Sequence, residues 1–307
     1  MPADSKPLRL GTRRSQLALA QSQQMADALM DVHPGLRVEL VPIVTRGDRE
    51  PGDLSKIGGK GLFTQELEEG LLNEDLDLAV HSLKDLPVTL PEGLAVAAYP
   101  PRVDPRDALV SEVGPDLASL PEGAVLLTGS QRRRSQILAH RPELKVEGLR
   151  GNVDTRLRKW REQGAAGVIL AMAGLERLGL EGIPVHPLDP EIMIPAPGQG
   201  ILAIETKIGG RAETLCQALD DPATSRFAEA ERHIVRALGG DCTLPLAAWA
   251  RPEGERLRLN ACLATPDGDR VARGEGVGDS PMEAAEECLA ALEQEGASEV
   301  LRALGKA

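Results

Sequence analysis

The sequence predicts an α/β protein with a second domain set between hinge segments and a small α+β domain at its C-terminal end. Three observations carry this. Short apolar, strand-like runs alternate with helical periodicity through the first hundred residues and again from Ala124 to Leu178, which favours layered α/β architecture. Two proline-rich stretches, "YPPRVDP" (Tyr99–Pro105) and "IPAPGQG" (Ile194–Gly200), read as an exit from the first domain and a return to it. After "ALDDPAT" the pattern changes to a helix, two strand-like runs and a second helix. The expected division is 1–100 with 199–219, 104–194, and 222–307.

Each element has its own signal. "LRLGT" (Leu8–Thr12) reads as a buried strand. The following segment places Leu17, Ala20, Met25, Leu29 and Val32 near helical spacing. "LRVELVPIVT" (Leu36–Thr45) alternates like a strand, and the loop "RGDREPGDLSKIGGKG" after it is too long and polar for an ordinary connection. "LFTQELEEGLLN" reads as a helix and "LDLAVH" (Leu76–His81) as a buried strand. "AVLLT", "SQILAHR", "NVDTRLRKWREQ" and "AGVIL" continue the alternation, and mainly parallel sheets are expected. The last domain opens with a helix over Ser225–Leu238. "RLRLNACLA" and "DRVARGEG" follow as strands, and "SPMEAAEECLAALEQEG" as a helix.

Composition narrows the function. The 307 residues are 42% hydrophobic and 27% charged, as in globular proteins, with only 2% aromatics. A net charge of −12 argues against general nucleic-acid or anionic-membrane binding. No apolar run approaches the roughly 20 residues of a membrane span, and "MPADSKPLRLGT" lacks a signal-peptide pattern. Cys216, Cys242, Cys262 and Cys288 form no metal-binding spacing, so no metal is expected. A reduced, cytoplasmic compartment is the simplest reading.

Four stretches could carry chemistry. "HSLKDLP" (His81–Pro87) follows an apolar strand, and ligands in α/β sheets gather at strand carboxyl ends. Asp85 beside Lys84 is either a satisfied loop carboxylate or one held ionised to stabilise positive charge or take a proton. Leu127–Arg161 holds ten Lys or Arg against three Asp or Glu, opposite to the sign of the whole chain. Ser130, Arg132 and Arg133 precede or open a helix, Arg150 and Gly151 form a turn, and Arg156 lies in the next helix. Such turns bind carboxylates or phosphates, whereas Arg158, Lys159 and Arg161 read as a solvated face. "GGKGLF" is neither a Walker loop nor a dinucleotide fingerprint. Its Lys60, with Lys56, suggests a cationic lid or a plain basic loop. Cys242, after two glycines and Asp241, is an inert thiol, a ligand, a nucleophile or an anchor.

Taken together, "TRRSQLALAQ", "VTRGD", "GGKGLFTQELE", "AVHSLKDLP", "DPRDALVS", "GSQRRRSQIL", "LRGNVDTRL", "AGLERLG", "PAPGQG" and the Cys242 turn resemble the porphobilinogen deaminase (hydroxymethylbilane synthase) family over essentially the whole chain. The resemblance implies two lobes like those of periplasmic ligand-binding proteins and a third, small α+β domain. It implies a transferase of porphyrin and heme biosynthesis that links four porphobilinogen units head to tail with loss of ammonia. The growing chain sits on a dipyrromethane cofactor attached by a thioether. By position, Cys242 is the attachment site and Asp85 the catalytic carboxylate. Arg13, Ser15, Ser82, Lys84, Ser130, Arg132, Arg133, Arg150, Arg156 and Arg177 match positions that hold the acidic side chains of cofactor and substrate. Gln21 and Gln199 are polar neighbours, and Lys56 and Lys60 match a covering loop. The implied partner is a small molecule, without nucleic acid or membrane, and the implied state a monomer. Three positions depart from the family's habit: Asp241 separates the glycine pair from Cys242, Gly129 stands where a serine is usual, and Gln131 where an apolar residue is frequent. A non-catalytic receptor for an organic polyanion would share the hinges and arginine turns, but would need neither Asp85 nor Cys242.

Overall fold

A computed structural model describes residues 6–49, 64–240 and 244–306. In chain order its strands are β1 (Leu8–Arg13), β2 (Val38–Ile43), β3 (Leu78–Ser82), β4 (Leu94–Ala98), β5 (Asp107–Val110), β6 (Val125–Leu127) and β7 (Lys145–Glu147). They continue with β8 (Gly167–Ala171), β9 (Val185–Pro187), β10 (Leu202–Lys207), β11 (Leu246–Glu253), β12 (Arg256–Ala264) and β13 (Val271–Gly278). The chain forms two compact units, Met1–Arg102 with Ile201–Ser225, and Val103–Gly200 with Arg226–Ala307.

The first unit is one five-stranded sheet, ordered β2-β1-β3-β10-β4. Helix Gln16–Val32 covers one face, burying Met25, Ala26 and Leu29 against Leu8, Leu10, Leu78, Val80, Leu202 and Ile204. Ser15 caps that helix, its Oγ accepting from the Ala18 N–H at 3.2 Å. Helix Gln65–Leu72 covers the other face through Leu67 and Leu71, which pack with Leu76, Ala79 and Leu94. Alternation along each strand feeds the two layers.

The second unit contains a five-stranded sheet, ordered β7-β6-β8-β5-β9, with core clusters built around Ile137 and Ile169 and around Leu157 and Trp160. It also contains the antiparallel sheet β11-β12-β13, covered by helix Pro281–Gln294. Gly274, Gly276 and Gly278 let that helix lie directly on β13. A Cβ at these positions would come within 2.5 Å of the Cys288 carbonyl oxygen, 2.2 Å of the Ala284 carbonyl oxygen and 2.4 Å of the Ala284 nitrogen. A capping box of Ser280 and Glu283 starts the helix.

The architecture is the expected mixed α/β one, two sheet-containing lobes and a small C-terminal domain. Two details go beyond the expectation. In each five-stranded sheet four strands run one way and one is reversed: β10 runs antiparallel to β3 and β4, and β5 antiparallel to β8 and β9. These are the strands that follow the two proline-rich segments, so each enters its sheet from the opposite end. The C-terminal sheet has a third strand, Leu246–Glu253, beyond the two expected. Among the described residues no helix is long and apolar enough to cross a membrane.

Candidate active site

In the first unit the expected residues collect at the carboxyl edge of the parallel strands. Arg13 ends β1, and Ser82 ends the neighbouring parallel strand β3. Gln21, buried on helix Gln16–Val32, donates from Nε2 to Ser82 Oγ at 3.1 Å and ties the helix to the strand end. β3 runs into a single 3₁₀ turn, Leu83–Asp85, which Leu83 anchors by burial and by an N–H bond to the Ile201 carbonyl at 3.0 Å. Lys84 is partly buried on this turn and Asp85 is exposed, available to a ligand. Ser15 spends its oxygen on the helix cap.

The second unit repeats the arrangement. Ser130 follows β6 and caps helix Gln131–His140, accepting from the Arg133 N–H at 3.4 Å. Gly129 before it is required by close backbone approach, since a Cβ there would sit 2.5 Å from the Leu149 carbonyl oxygen. After β7, Arg150 is exposed in the turn that Gly151 makes at φ 119°. Arg156 Nε donates to the Gly151 carbonyl at 2.8 Å and braces the same turn. Arg177 ends the short helix after β8, and its Nη2 donates to the Gly200 carbonyl at 3.0 Å.

Arg132 and Arg133 are both buried, and both hold Asp107, the first residue of β5. Arg132 Nη1 reaches Asp107 Oδ2 at 2.7 Å and the Ile194 carbonyl at 2.7 Å. Arg133 donates to Asp107 Oδ1 from Nε at 3.0 Å and Nη2 at 2.8 Å, and to the Ile169 carbonyl from Nη1 at 2.9 Å. Gln199 Nε2 adds a fourth donor side chain contact to Asp107 at 2.9 Å. Burial alone would raise the Asp107 carboxyl, but the two guanidiniums outweigh it and hold it well below the usual carboxylate range. Two guanidiniums thus converge on one carboxylate.

Arg177 is a third cation of this unit. Its Nε is enclosed without a hydrogen-bond partner, and burial pushes the guanidinium down to about 10, with Glu176 opposing. A partly buried guanidinium with an enclosed donor left unbonded costs free energy in the folded protein. Arginines presented in this way suit planar carboxylates. The donor set therefore fits a ligand carrying several acidic side chains, and among the described residues no cluster suits a metal ion.

The chain's similarity to known proteins agrees with that chemistry. The family model "Porphobilinogen deaminase, dipyromethane cofactor binding domain" matches residues 8–214, and the model of the porphobilinogen deaminase C-terminal domain matches residues 226–295. The chain belongs to the porphobilinogen deaminase family. Curated members include the porphobilinogen deaminase of Brevibacillus brevis, 45% identical over 95% of this chain and 96% of that one. Another is that of Rubrobacter xylanophilus, 46% identical over 95% of each chain. Among solved structures, the periplasmic aliphatic sulphonate binding protein SsuA of Escherichia coli aligns with 75% of this chain and 70% of that one. That likeness, at TM-score 0.41 and 15% identity, is too distant to carry any argument.

Within this family frame, three expected positions lie outside the described residues: Lys56, Lys60 and Cys242. The other cysteines are buried, and burial pushes the thiols of Cys216, Cys262 and Cys288 up to about 12, 11 and 12, so none is a ready nucleophile. Lys159, expected on a solvated face, instead donates to the Arg150 carbonyl at 3.1 Å, while Arg158 pairs with Glu162 on the exposed surface. Sequence reading missed Asp107, although "DPRDALVS" contains it. A lone carboxylate opening an apolar strand was the available signal. It also missed the Gly200 carbonyl, which no side-chain motif marks.

Proposed function

We propose that this chain is a hydroxymethylbilane synthase-type transferase, condensing porphobilinogen head to tail with release of ammonia on a dipyrromethane held by Cys242. The observation that carries the reading is the cluster of guanidiniums at the carboxyl edge of the second sheet, where Arg132 and Arg133 converge on Asp107, Arg177 keeps an enclosed Nε without a hydrogen bond, and Arg150 is exposed. Each pyrrole unit bears an acetate and a propionate, and planar carboxylates suit such a cluster. When bound, the dipyrromethane supplies the nucleophilic ring carbon on which the chain grows.

The roles of the protein groups follow from their placement. Arg150 and Arg177 bind ligand carboxylates, while Arg132 and Arg133, fixed on Asp107, supply a rigid positive field. Arg156 and Ser130 hold the turns that present these groups. In the other unit, Arg13, Ser82, Lys84 and Asp85 lie at the carboxyl edge of neighbouring strands. When the C–N bond of porphobilinogen breaks, the aminomethyl group, protonated as an ammonium, leaves as ammonia with the bonding electrons, and the remaining ring system becomes cationic. The Asp85 carboxylate offsets that developing charge and can accept the proton lost from the ring carbon after coupling. The protein acts as a cytoplasmic monomer on a small molecule.

The direct test is turnover. Purified protein with porphobilinogen releases one ammonia per unit consumed and yields a linear tetrapyrrole. Protein that carries the cofactor yet consumes no porphobilinogen would overturn the assignment.

A further inference from the structure

β11 is an edge strand of the C-terminal sheet, and an edge strand presents N–H groups that no neighbouring strand takes. Two of these, at alternate residues, are used within the second unit. Ala248 donates to the Pro195 carbonyl at 3.1 Å. Ala250 donates to Glu231 Oε1 at 2.7 Å. Glu231 is fully buried on helix Pro222–Ala237. Its other oxygen, Oε2, accepts from the Gly198 N–H at 2.5 Å. A carboxyl group taken out of water is costly unless donors such as these bond it.

The segment Ile194–Gly200 that Glu231 and β11 hold from one side meets the arginines on the other. Gly198 and Gly200 are left-handed, with φ 77° and 87°. Glycine permits that conformation without enforcing it, so hydrogen bonds must fix the loop. Between the two glycines, Gln199 Nε2 donates to the Pro105 carbonyl at 2.7 Å and to Asp107 Oδ1 at 2.9 Å. Asp107 is the carboxylate that Arg132 and Arg133 grip. The Gly200 carbonyl accepts from Arg177 Nη2 at 3.0 Å, and the Ile194 carbonyl from Arg132 Nη1 at 2.7 Å. A second contact points the same way. Gly268, in the turn between β12 and β13, packs on the helix that carries Arg132 and Arg133: a Cβ there would come within 2.4 Å of the Ala139 nitrogen.

We propose that Glu231 is a positioning residue for substrate binding: by bonding Gly198 and Ala250 together, it lets the C-terminal domain set the geometry of the arginine edge in the second sheet. Buried within its unit, Glu231 acts through the segment it holds. Without its bond to Gly198, the two-glycine segment relaxes, Gln199 shifts from Asp107, and the carbonyl under Arg177 moves. The arginines then meet the ligand's acidic groups out of register. Asp85 lies in the other unit and keeps its place, so binding weakens while the chemical step proceeds. The inference rests on these arginines binding the acidic side chains of porphobilinogen.

The test joins steady-state kinetics of the holoenzyme with NMR hydrogen exchange of nitrogen-15-labelled protein. Glu231→Gln keeps the side chain's shape but sets an amide NH₂ against one of the two backbone donors. It should raise KM for porphobilinogen about tenfold with kcat changed less than about twofold. The Arg133 Nε–H, identified by its loss in Arg133→Lys, should exchange with solvent about tenfold faster in Glu231→Gln. The Trp160 Nε1–H, which donates to the Ala165 carbonyl at 2.9 Å in the same unit, should keep its rate. Leu292→Ala, which opens a cavity beneath helix Pro281–Gln294, should lower Tm and leave KM unchanged. A wild-type KM in folded Glu231→Gln, or equal acceleration of both exchanges, would overturn the proposal. If Glu231→Gln does not fold, Glu231→Asp, whose carboxylate is too short to reach both donors, decides by the same readouts. A wild-type protein that carries the cofactor yet consumes no porphobilinogen would strike at the functional reading instead, and the exchange comparison would still decide whether Glu231 positions Arg133.

Discussion

Arg177 and Asp107 are the side chains at one sheet edge on which the proposed binding of acidic groups bears most directly. The Arg177 guanidinium donates to the Gly200 carbonyl but its enclosed Nε has no partner, so it is held in place without being satisfied. Replacing it by Met removes a partly buried cation with an unbonded donor and keeps the side chain's bulk. Arg177→Met should raise Tm by a few degrees while raising KM for porphobilinogen about tenfold, read by calorimetry and steady-state kinetics. A fall in both would mean that the residue is only structural. Asp107 is the opposite case. Its carboxyl is held below the ordinary range, so its contribution to stability is complete above about pH 4 and is lost as pH falls through the folded value. Asp107→Asn should therefore be less stable by about 3–5 kcal/mol at pH 7, with the gap to wild type narrowing in acid, measured by denaturant unfolding across that range. Asp85 stands apart from both, exposed on its turn. Asp85→Asn should lower kcat by about two to three orders of magnitude with the cofactor still attached, as for loss of a preorganised transition-state charge.

At the scale of elements, the turns after the parallel strands decide what each edge presents. Thr128-Gly129-Ser130 brings the end of β6 against Leu149, one residue before Arg150. Gly129 is therefore not merely a missing hydroxyl. Gly129→Ala should cost about 1–3 kcal/mol by overpacking and weaken substrate binding through the displaced Arg150 turn, checked by unfolding and by KM. Much of this level was legible in the sequence. Helical spacing located Gln16–Val32, the cap residues Ser130 and Asn152 lie where helices begin, and "HSLKDLP" marks the strand end at which Asp85 sits. What was not legible depends on partners distant along the chain. Asp107 acquires its role only because Arg132, Arg133 and Gln199 converge on it, and His81 has a carboxylate neighbour only because β10 sets Glu205 beside it. The antiparallel direction of β5 and β10 likewise follows from chain routing, which no local periodicity encodes.

At the scale of the whole molecule, the two five-stranded sheets share one wiring. In each, the first three parallel strands lie in the order second, first, third, followed by an antiparallel strand that adjoins a proline-rich segment and then by the fourth. The sequence shows no internal repeat, yet both units place their polar and cationic residues at the same carboxyl edge. That common edge is where α/β sheets collect ligands. It explains how an acidic chain of net charge −12 concentrates arginine where an acidic pyrrole chain would bind. The central claim is that this protein carries its own pyrrole primer, joined to Cys242. Intact-mass measurement of purified protein tests it most directly. The account predicts a mass above that of the polypeptide by two linked pyrrole units, and the bare polypeptide mass for Cys242→Ala. An unmodified wild-type mass that stays unmodified after incubation with porphobilinogen, or an increment that survives in Cys242→Ala, would contradict it.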